Sequence, residues 1–373
     1  MHENCARFSL RQGVFVTEPP AAAPVPEPPP LLPSDWAELD GQIGPAPEDF
    51  RVDEIPLYAA SEDGEHVFLH VEKRGLNTRD VVKEISRLSG VPARDIGYAG
   101  MKDRHAVTTQ WLSVATPDDP RTWTWGPGMR LLDARRHQNK LRTGHLHGNR
   151  FRIRLHNLTD ASLLAPRVDA LRQSGVLNGF DAQRFGYAGQ NLARALDWLR
   201  KGGRLSRFKK KLYTSVIQSH VFNQVLRQRS EAGLLHVIDG DVLRLDGSQS
   251  VFVSEDPSHD EQRRQEGDVH LTGPMFGPRS RQPAGRALDI ECSAIEALAL
   301  REKDFKTLGK NGRGTRRDLL IYVPDLSLDI EGPHQAVLSF SLPSGAYATN
   351  VVRHVLRRRW DVPLRPEILR EET

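Results

Sequence analysis

A chain of 373 residues with only two cysteines, Cys5 and Cys292, has no disulfide framework and no cluster with the ligand spacing of a zinc site. No stretch is apolar for long enough to span a bilayer, and the N-terminus lacks the apolar core of a secretory signal, so a soluble cytoplasmic protein is expected. The length allows two domains, and the formal net charge of +4 is too modest to identify a partner.

Residues 19–33 are dominated by Pro and Ala, so ordering them would bury too little apolar surface to offset the entropy, and 1–36 reads as an extended, disordered tail. The folded part begins after Gly41. Its first signal is Asp49, Phe50, Arg51, Val52 and Asp53, followed by 65–71, where Val67, Leu69 and Val71 alternate with Phe68 and His70 as on a strand. A helix is predicted next, with Thr78 as N-cap and Val81, Val82, Ile85 and Leu88 on one face. Gly90 ends it and Pro92 lies just beyond. Further strands are predicted at 107–114 and 151–155. This order is that of an α+β fold, a mixed or antiparallel sheet with helices on one side.

Between 178 and 322 the texture changes. Helical periodicity appears at 191–200, through Leu192, Ala195, Leu196 and Leu199, and at 215–228, through Ile217, Val221 and Val225. Polar, Gly- and Pro-rich loops follow. An inserted, largely helical α+β domain is therefore expected over 179–322. The chain then returns to a strand at 337–342 and a helix at 348–359, with Val351, Val352, Val355 and Leu356 inward and Arg353, Arg357 and Arg358 outward. The first domain accordingly comprises 37–178 and 323–373. No repeat of fixed period is evident.

Two stretches carry candidate chemistry. Residues 129–154 hold Arg130, Arg135, Arg136, Lys140, Arg142, Arg150, Arg152 and Arg154 against the single acid Asp133, a stripe suited to phosphates or simply to water. Arg142 and Arg150 are the RNA-binding candidates within it. The run 97–110 contains Gly97 and Gly100, which permit a tight turn, and sets Asp103 just ahead of a strand between Lys102 and Arg104. Flanking cations would keep a nucleophilic carboxylate ionised and could hold a phosphate. The same residues also read as a polar surface turn with an ion pair. His66 and His70 lie four apart on a predicted strand without the Glu of a metalloprotease helix, so no metal site is expected there. His145 and His147, within the basic run, are expected to meet phosphate or solvent rather than a metal. The basic, Gly-rich run 310–317 matches no phosphate-binding fingerprint and is expected to be a loop that contacts RNA or is merely mobile.

The run Ala99-Gly100-Met101-Lys102-Asp103-Arg104-His105-Ala106-Val107-Thr108-Thr109-Gln110-Trp111 resembles the signature of the TruD family of pseudouridine synthases. Four other segments resemble that family in the same order: Pro47-Glu48-Asp49-Phe50, the run 140–151, Gln183-Arg184-Phe185-Gly186, and the run 342–353. Together they span nearly the whole chain apart from the tail. The resemblance implies a pseudouridine synthase-type catalytic domain with an inserted TRUD domain. It also implies isomerisation of a uridine, at position 13 of certain tRNAs, by Asp103 acting as nucleophile, with Phe50, Asn149 and Tyr347 contacting the target nucleotide and Phe151 beside them. Lys102 and Arg104 would assist in binding. An aromatic face and a polar edge-reader suit a base taken out of its stack, although core packing is the other reading of the aromatics.

Because the implied reaction neither changes redox state nor adds a group, no cofactor and no metal are expected. The expected partner is tRNA, with no membrane and no obligate protein partner, and the protein is expected to be a monomer. His354 departs from the Glu of the compared relatives, which points to a change in a salt bridge or helix packing, and the Pro-rich tail extends beyond the usual family start. Two rival functions are a noncatalytic RNA-binding or chaperone protein and a hydrolase that would release free uracil.

Overall fold

The computed structural model describes residue 26 and residues 30–32, 34–186, 189–300, 302–358 and 364–365. Most of the tail predicted over 1–36, and Arg359 at the end of the last predicted helix, lie outside the described residues. The chain forms two compact units. One contains 37–174, 322–358 and 364–365, and the other contains 175–321 with the described residues before 37.

In chain order the first unit contributes β1 (Gln42–Ile43), β2 (Phe50–Pro56), β3 (His66–Arg74), α1 (Thr78–Ser89), β4 (Gly97–Tyr98), β5 (Val107–Ala115), β6 (Met129–His137), β7 (Leu146–His156) and α2 (Leu164–Ser174). The second unit follows with β8 (Val176–Leu177), α3 (Ala182–Phe185), α4 (Gln190–Lys201), α5 (Arg207–Glu231), β9 (Val242–Leu245) and β10 (Val251–Val253). It continues with α6 (Pro257–Gln265), β11 (Val269–Met275), α7 (Gly285–Glu296), α8 (Glu302–Asn311), β12 (Thr315–Asp318) and β13 (Leu320–Ile321). The chain then returns to the first unit as β14 (Ser327–Gly332), β15 (Gln335–Pro343) and α9 (Ala348–Leu356).

The first unit is built on a sheet of order β14-β15-β7-β2-β5-β3-β6, with β1 on β7 and β4 on β5. Neighbours are antiparallel except β2 and β5, which run parallel with Arg51 opposite Val107. The sheet is thus mixed, and the architecture is α+β. Strand alternation separates its faces. Val67, Leu69 and Val71 of β3 bury against Val81, Val82 and Ile85 of α1, each such side chain contributing about 1.5–3 kcal/mol relative to exposure. The opposite face is mixed, with Phe68 packed among Ala99, Leu141 and Leu146 and polar pairs beside it. There Asp53 accepts from Thr109 Oγ1 at 3.0 Å, Arg51 pairs with Glu72 at 3.3 Å, and His70 stacks on Trp111 at 4.6 Å.

Helix α9 packs on α2, whose buried Arg167 donates to the Val355 carbonyl in the last turn of α9 (3.1 Å) and to the Ala37 carbonyl (2.7 Å). Carbonyls at a helix C-terminus lack intrahelical donors, so a guanidinium is an apt partner.

Several expectations are corrected. The cap of α1 is Asn77, whose side chain accepts from Asp80 N–H while Asp80 accepts from Asn77 N–H. Thr78 is instead fully buried, and its hydroxyl has another task. Helix α5 starts at Arg207, ahead of the predicted 215, because Ser206 caps it and its first turns carry no apolar stripe for periodicity to detect. Helix α9 ends at Leu356, closed by Arg357 in a left-handed conformation with φ 55°. Its Arg353, predicted outward, is buried, as is His354, whose Nδ1 donates to the Asn350 carbonyl at 2.7 Å. Every residue of this short helix except Thr349 is buried. In the second unit the four-stranded antiparallel sheet β10-β9-β11-β12 accompanies the helices. The basic run 310–317 is only partly a loop, since it ends in β12. Arg316 forms a buried pair with Glu291 at 2.6 Å, and Arg317 lies over Phe180 at 4.2 Å.

Candidate active site

Asp103 sits on the segment joining β4 to β5, with its side chain exposed. The loop is held from behind by buried groups. Lys102 N–H donates to Thr78 Oγ1 at 2.8 Å, and that hydroxyl donates to Gln110 Oε1 at 2.9 Å, so the first residue of α1 and the middle of β5 fix the residue before Asp103. The ammonium of Lys73, on β3, donates to the Asp103 carbonyl at 2.7 Å and to the Leu76 carbonyl at 2.5 Å. Burial pushes Lys73 down to about 8, against the opposing pull of the Asp103 charge. Asp103 Oδ1 accepts from Arg104 N–H at 3.0 Å.

The predicted role of Lys102 beside Asp103 is corrected by this geometry. Its ammonium turns inward to Glu54 of β2 at 2.5 Å, with side chains 5% and 1% exposed, and Glu54 also accepts from Trp111 N–H at 3.1 Å. Adjacent residues on an extended loop point in different directions, and a buried carboxylate claims the nearer cation. Arg104 is exposed, and its Nε donates to the Gly75 carbonyl at 3.3 Å. The cations that act electrostatically with Asp103 include Lys73 and Arg365, neither of which was singled out from the sequence. Lys73 had a signal. It continues the inward series Val67, Leu69 and Val71, and a lysine at a core-facing strand position requires a buried polar task. Arg365 had none, because the segment around it carries no periodicity.

Phe50, Asn149 and Phe151 lie on the helix-covered face of the sheet, since Phe50 is opposite Ile153, Val52 opposite Phe151 and Glu54 opposite Asn149. Phe151 is edge-on to Phe50 at 6.1 Å and stacked on Phe340 at 5.5 Å, so it is mainly a packed aromatic. The ring of Phe50 carries the Arg365 guanidinium at 4.3 Å from its centroid. Asn149 Oδ1 is buried and accepts no hydrogen bond among the described residues. Tyr347 is half-buried at the start of α9, just after β15, the strand that pairs with β7.

The Pro-Glu-Asp-Phe segment is also structural. Glu48 pairs with Arg74, while Asp49 accepts from Ala46 N–H at 3.1 Å and meets His156 at 3.3 Å and Arg154 at 3.5 Å. Within the basic stripe, Arg130 pairs with Glu72, Arg135 with Asp133 and Glu62, and Arg152 and Arg154 with Glu331. Arg136 and Lys140 donate to carbonyls. Arg142 and Arg150 are exposed and have no acidic partner among the described residues. Arg150 alternates with Asn149 on β7 and therefore lies on the other face of the sheet, opposite Asp53. His145 is half-buried and bonds to the Tyr58 hydroxyl at 2.8 Å, whereas His147 is exposed. A cavity of about 170 Å³ lined by Tyr58, Phe68, Trp111, Asp133, Arg135 and His145 contains none of the predicted site residues.

An exposed carboxylate on a rigidly backed loop, acted on by the charges of Lys73 and of Arg365, which itself covers Phe50, is suited to act as a nucleophile or base on an anionic substrate. The family of tRNA pseudouridine synthase D (TruD) matches residues 31–196 and 190–355, and the chain belongs to that family. It is 41% identical to the tRNA pseudouridine synthase D of Anaeromyxobacter dehalogenans strain 2CP-1 over 344 residues, covering 90% of this chain and 98% of that protein. It is 36% identical to the Thermus thermophilus protein of the same name, covering 89% and 93%. The fold matches a Methanosarcina mazei crystal structure described as a putative tRNA pseudouridine synthase D, with TM-score 0.72 at 23% identity, covering 89% of this chain and 97% of that one.

Proposed function

We propose that this protein isomerises a uridine of tRNA, the one at position 13, to pseudouridine, with Asp103 as the nucleophile. The N1–C1′ bond breaks, the base turns, and C5 bonds to C1′; the C5 proton is lost and N1 gains one, so the reaction balances without an external reactant. Asp103 attacks C1′ or C6, or removes a proton in a glycal route, and each route starts from the same carboxylate. Tyr347 and Asn149 bind the target nucleotide, and Arg142 and Arg150 contact tRNA phosphates. The observation that carries this reading is the placement of Asp103: its carboxylate is exposed while its backbone is clamped by buried Lys73 and the Thr78–Lys102–Gln110 network. A carboxylate oriented by such a frame loses little freedom on reaching its target.

Asn149 supports uridine in particular. Its free Oδ1 can accept from the N3–H of uracil, a position at which cytosine offers an acceptor instead. The test is to incubate purified protein with unmodified tRNA and map pseudouridine chemically. Asp103→Asn should abolish product while leaving RNA affinity nearly unchanged. Substantial pseudouridine formation by a clean Asp103→Asn protein would overturn the assignment, and release of free uracil would favour a hydrolase.

A further inference from the structure

Arg365 stands outside every motif read from the sequence, yet it lies beside the Asp103 loop. Its backbone position is set by Leu364, a buried residue whose carbonyl accepts from Ile43 N–H of β1 at 2.6 Å. Its side chain is set twice more. The guanidinium lies 4.3 Å from the Phe50 centroid, and Nη1 donates to the carbonyl of His105, two residues after Asp103, at 2.9 Å. The ring contact and the Nη1 bond together hold the guanidinium in place, Nη2 included. Nη2 is buried and has no hydrogen-bond partner among the described residues.

A buried guanidinium N–H without an acceptor is costly, and native structures rarely retain one unless something else occupies the place. The nearby acids do not meet the need. Asp49 is committed to Ala46, His156 and Arg154, and Asp103 accepts from Arg104 N–H. Burial opposes the Arg365 charge while the Asp103 and Asp49 carboxylates favour it, so a cation is held beside the Asp103 loop.

We propose that Arg365 is a substrate-binding residue that donates through Nη2 to a phosphodiester oxygen flanking the target nucleotide, with Phe50 serving as the shelf that keeps the guanidinium flat. The planar fork of arginine suits a phosphate, and such contacts position RNA without reading its sequence. This also gives Phe50 a role distinct from stacking on the base, because one of its faces is occupied by Arg365. The inference rests on the proposed function, since it presumes an RNA nucleotide at Asp103.

The test is a cycle between protein and substrate. Wild type, Arg365→Gln and Arg365→Lys are assayed on a tRNA-derived RNA and on two versions in which the phosphate on either side of the target uridine is a neutral methylphosphonate. Far-UV circular dichroism and melting temperature are recorded for each protein. On native RNA, Arg365→Gln should raise KM by about 10- to 100-fold, the range for losing one charge-assisted hydrogen bond, with kcat less affected. It should also flatten the salt dependence of binding by about one phosphate. On one of the neutral RNAs, wild type and Arg365→Gln should converge. A purely structural clamp would lose the same factor on all three RNAs, and that result, or an unchanged KM, overturns the proposal. If Arg365→Gln does not fold, Arg365→Lys decides the matter in the same way, by a KM defect that disappears on one neutral RNA or persists on all three. Failure of wild type to make pseudouridine from native RNA would instead refute the proposed function, so the two failures are distinguishable.

Discussion

Lys102→Met separates the role suggested by sequence adjacency from the one found in the fold. If Lys102 were a phosphate contact beside Asp103, its loss would weaken tRNA binding and flatten the salt slope by somewhat less than one unit while leaving stability intact. The structure requires the opposite. The Lys102–Glu54 pair is 2.5 Å long with side chains 5% and 1% exposed, so removing the lysine strands a carboxylate in the sheet. Breaking such a pair from one side costs about 3–5 kcal/mol, which for a unit of this size lowers the melting temperature by roughly 6–20 °C. Lys102→Met/Glu54→Gln should recover part of that loss, because glutamine removes the charge and still accepts from Trp111 N–H. Urea unfolding of the wild type, both single variants and the double variant measures the coupling, and tRNA binding at several salt concentrations measures the alternative. A Lys102→Met protein as stable as wild type but with a flattened salt slope would refute this reasoning.

Lys73 makes stability depend on alkaline pH. Its folded value of about 8 lies below its usual 10.5, so the burial cost is fully present below pH 8 and is relieved as pH rises toward 10.5, where only the unfolded chain still holds the proton. Relative to Lys73→Met, wild-type stability should rise by about 3 kcal/mol across that window in urea titrations, and parallel pH profiles for the two would remove the effect. Burial pushes His354 down to about 4 from 6.5, so stability should fall by up to about 3 kcal/mol as pH drops between those values. His354→Gln should flatten that acid limb. Arg142→Ala and Arg150→Ala should each reduce the slope of log K against log salt by about 0.7–0.9, whereas Arg154→Ala, whose charge is already offset by Glu331, should reduce it less. Equal effects at all three would mean that the ion pairs do not decide which arginines meet RNA. Tyr347→Phe should retain most activity and Tyr347→Ala should lose about 5- to 150-fold, less on a substrate whose target uridine is already unpaired. Equal activity of the two variants would return Tyr347 to a packing role.

Signals that live within a few residues were legible in the sequence. Alternation of Val67, Leu69 and Val71, the helical face of Val81, Val82 and Ile85, and the turn carrying Asp103 are all local, because periodicity and turn chemistry are properties of neighbouring residues. The α+β order could therefore be read from the sequence, whereas the turn also read as a polar surface loop until its resemblance to the TruD family made Asp103 the catalytic candidate. The partners of the charged side chains could not. Lys102 is claimed by Glu54, 48 residues earlier, because the parallel pairing of β2 with β5 brings that strand alongside. Thr78 exchanges a capping role for a hydroxyl that anchors Lys102 and Gln110. Of the basic stripe, only tertiary pairing leaves Arg142 and Arg150 without acids among the described residues, and only the docking of Leu364 on β1 brings Arg365 over Phe50. A charged group responds to whichever opposite charge or carbonyl the fold carries within a few ångströms. That distance is set by strand register and long-range docking, which the spacing of residues along the chain does not encode.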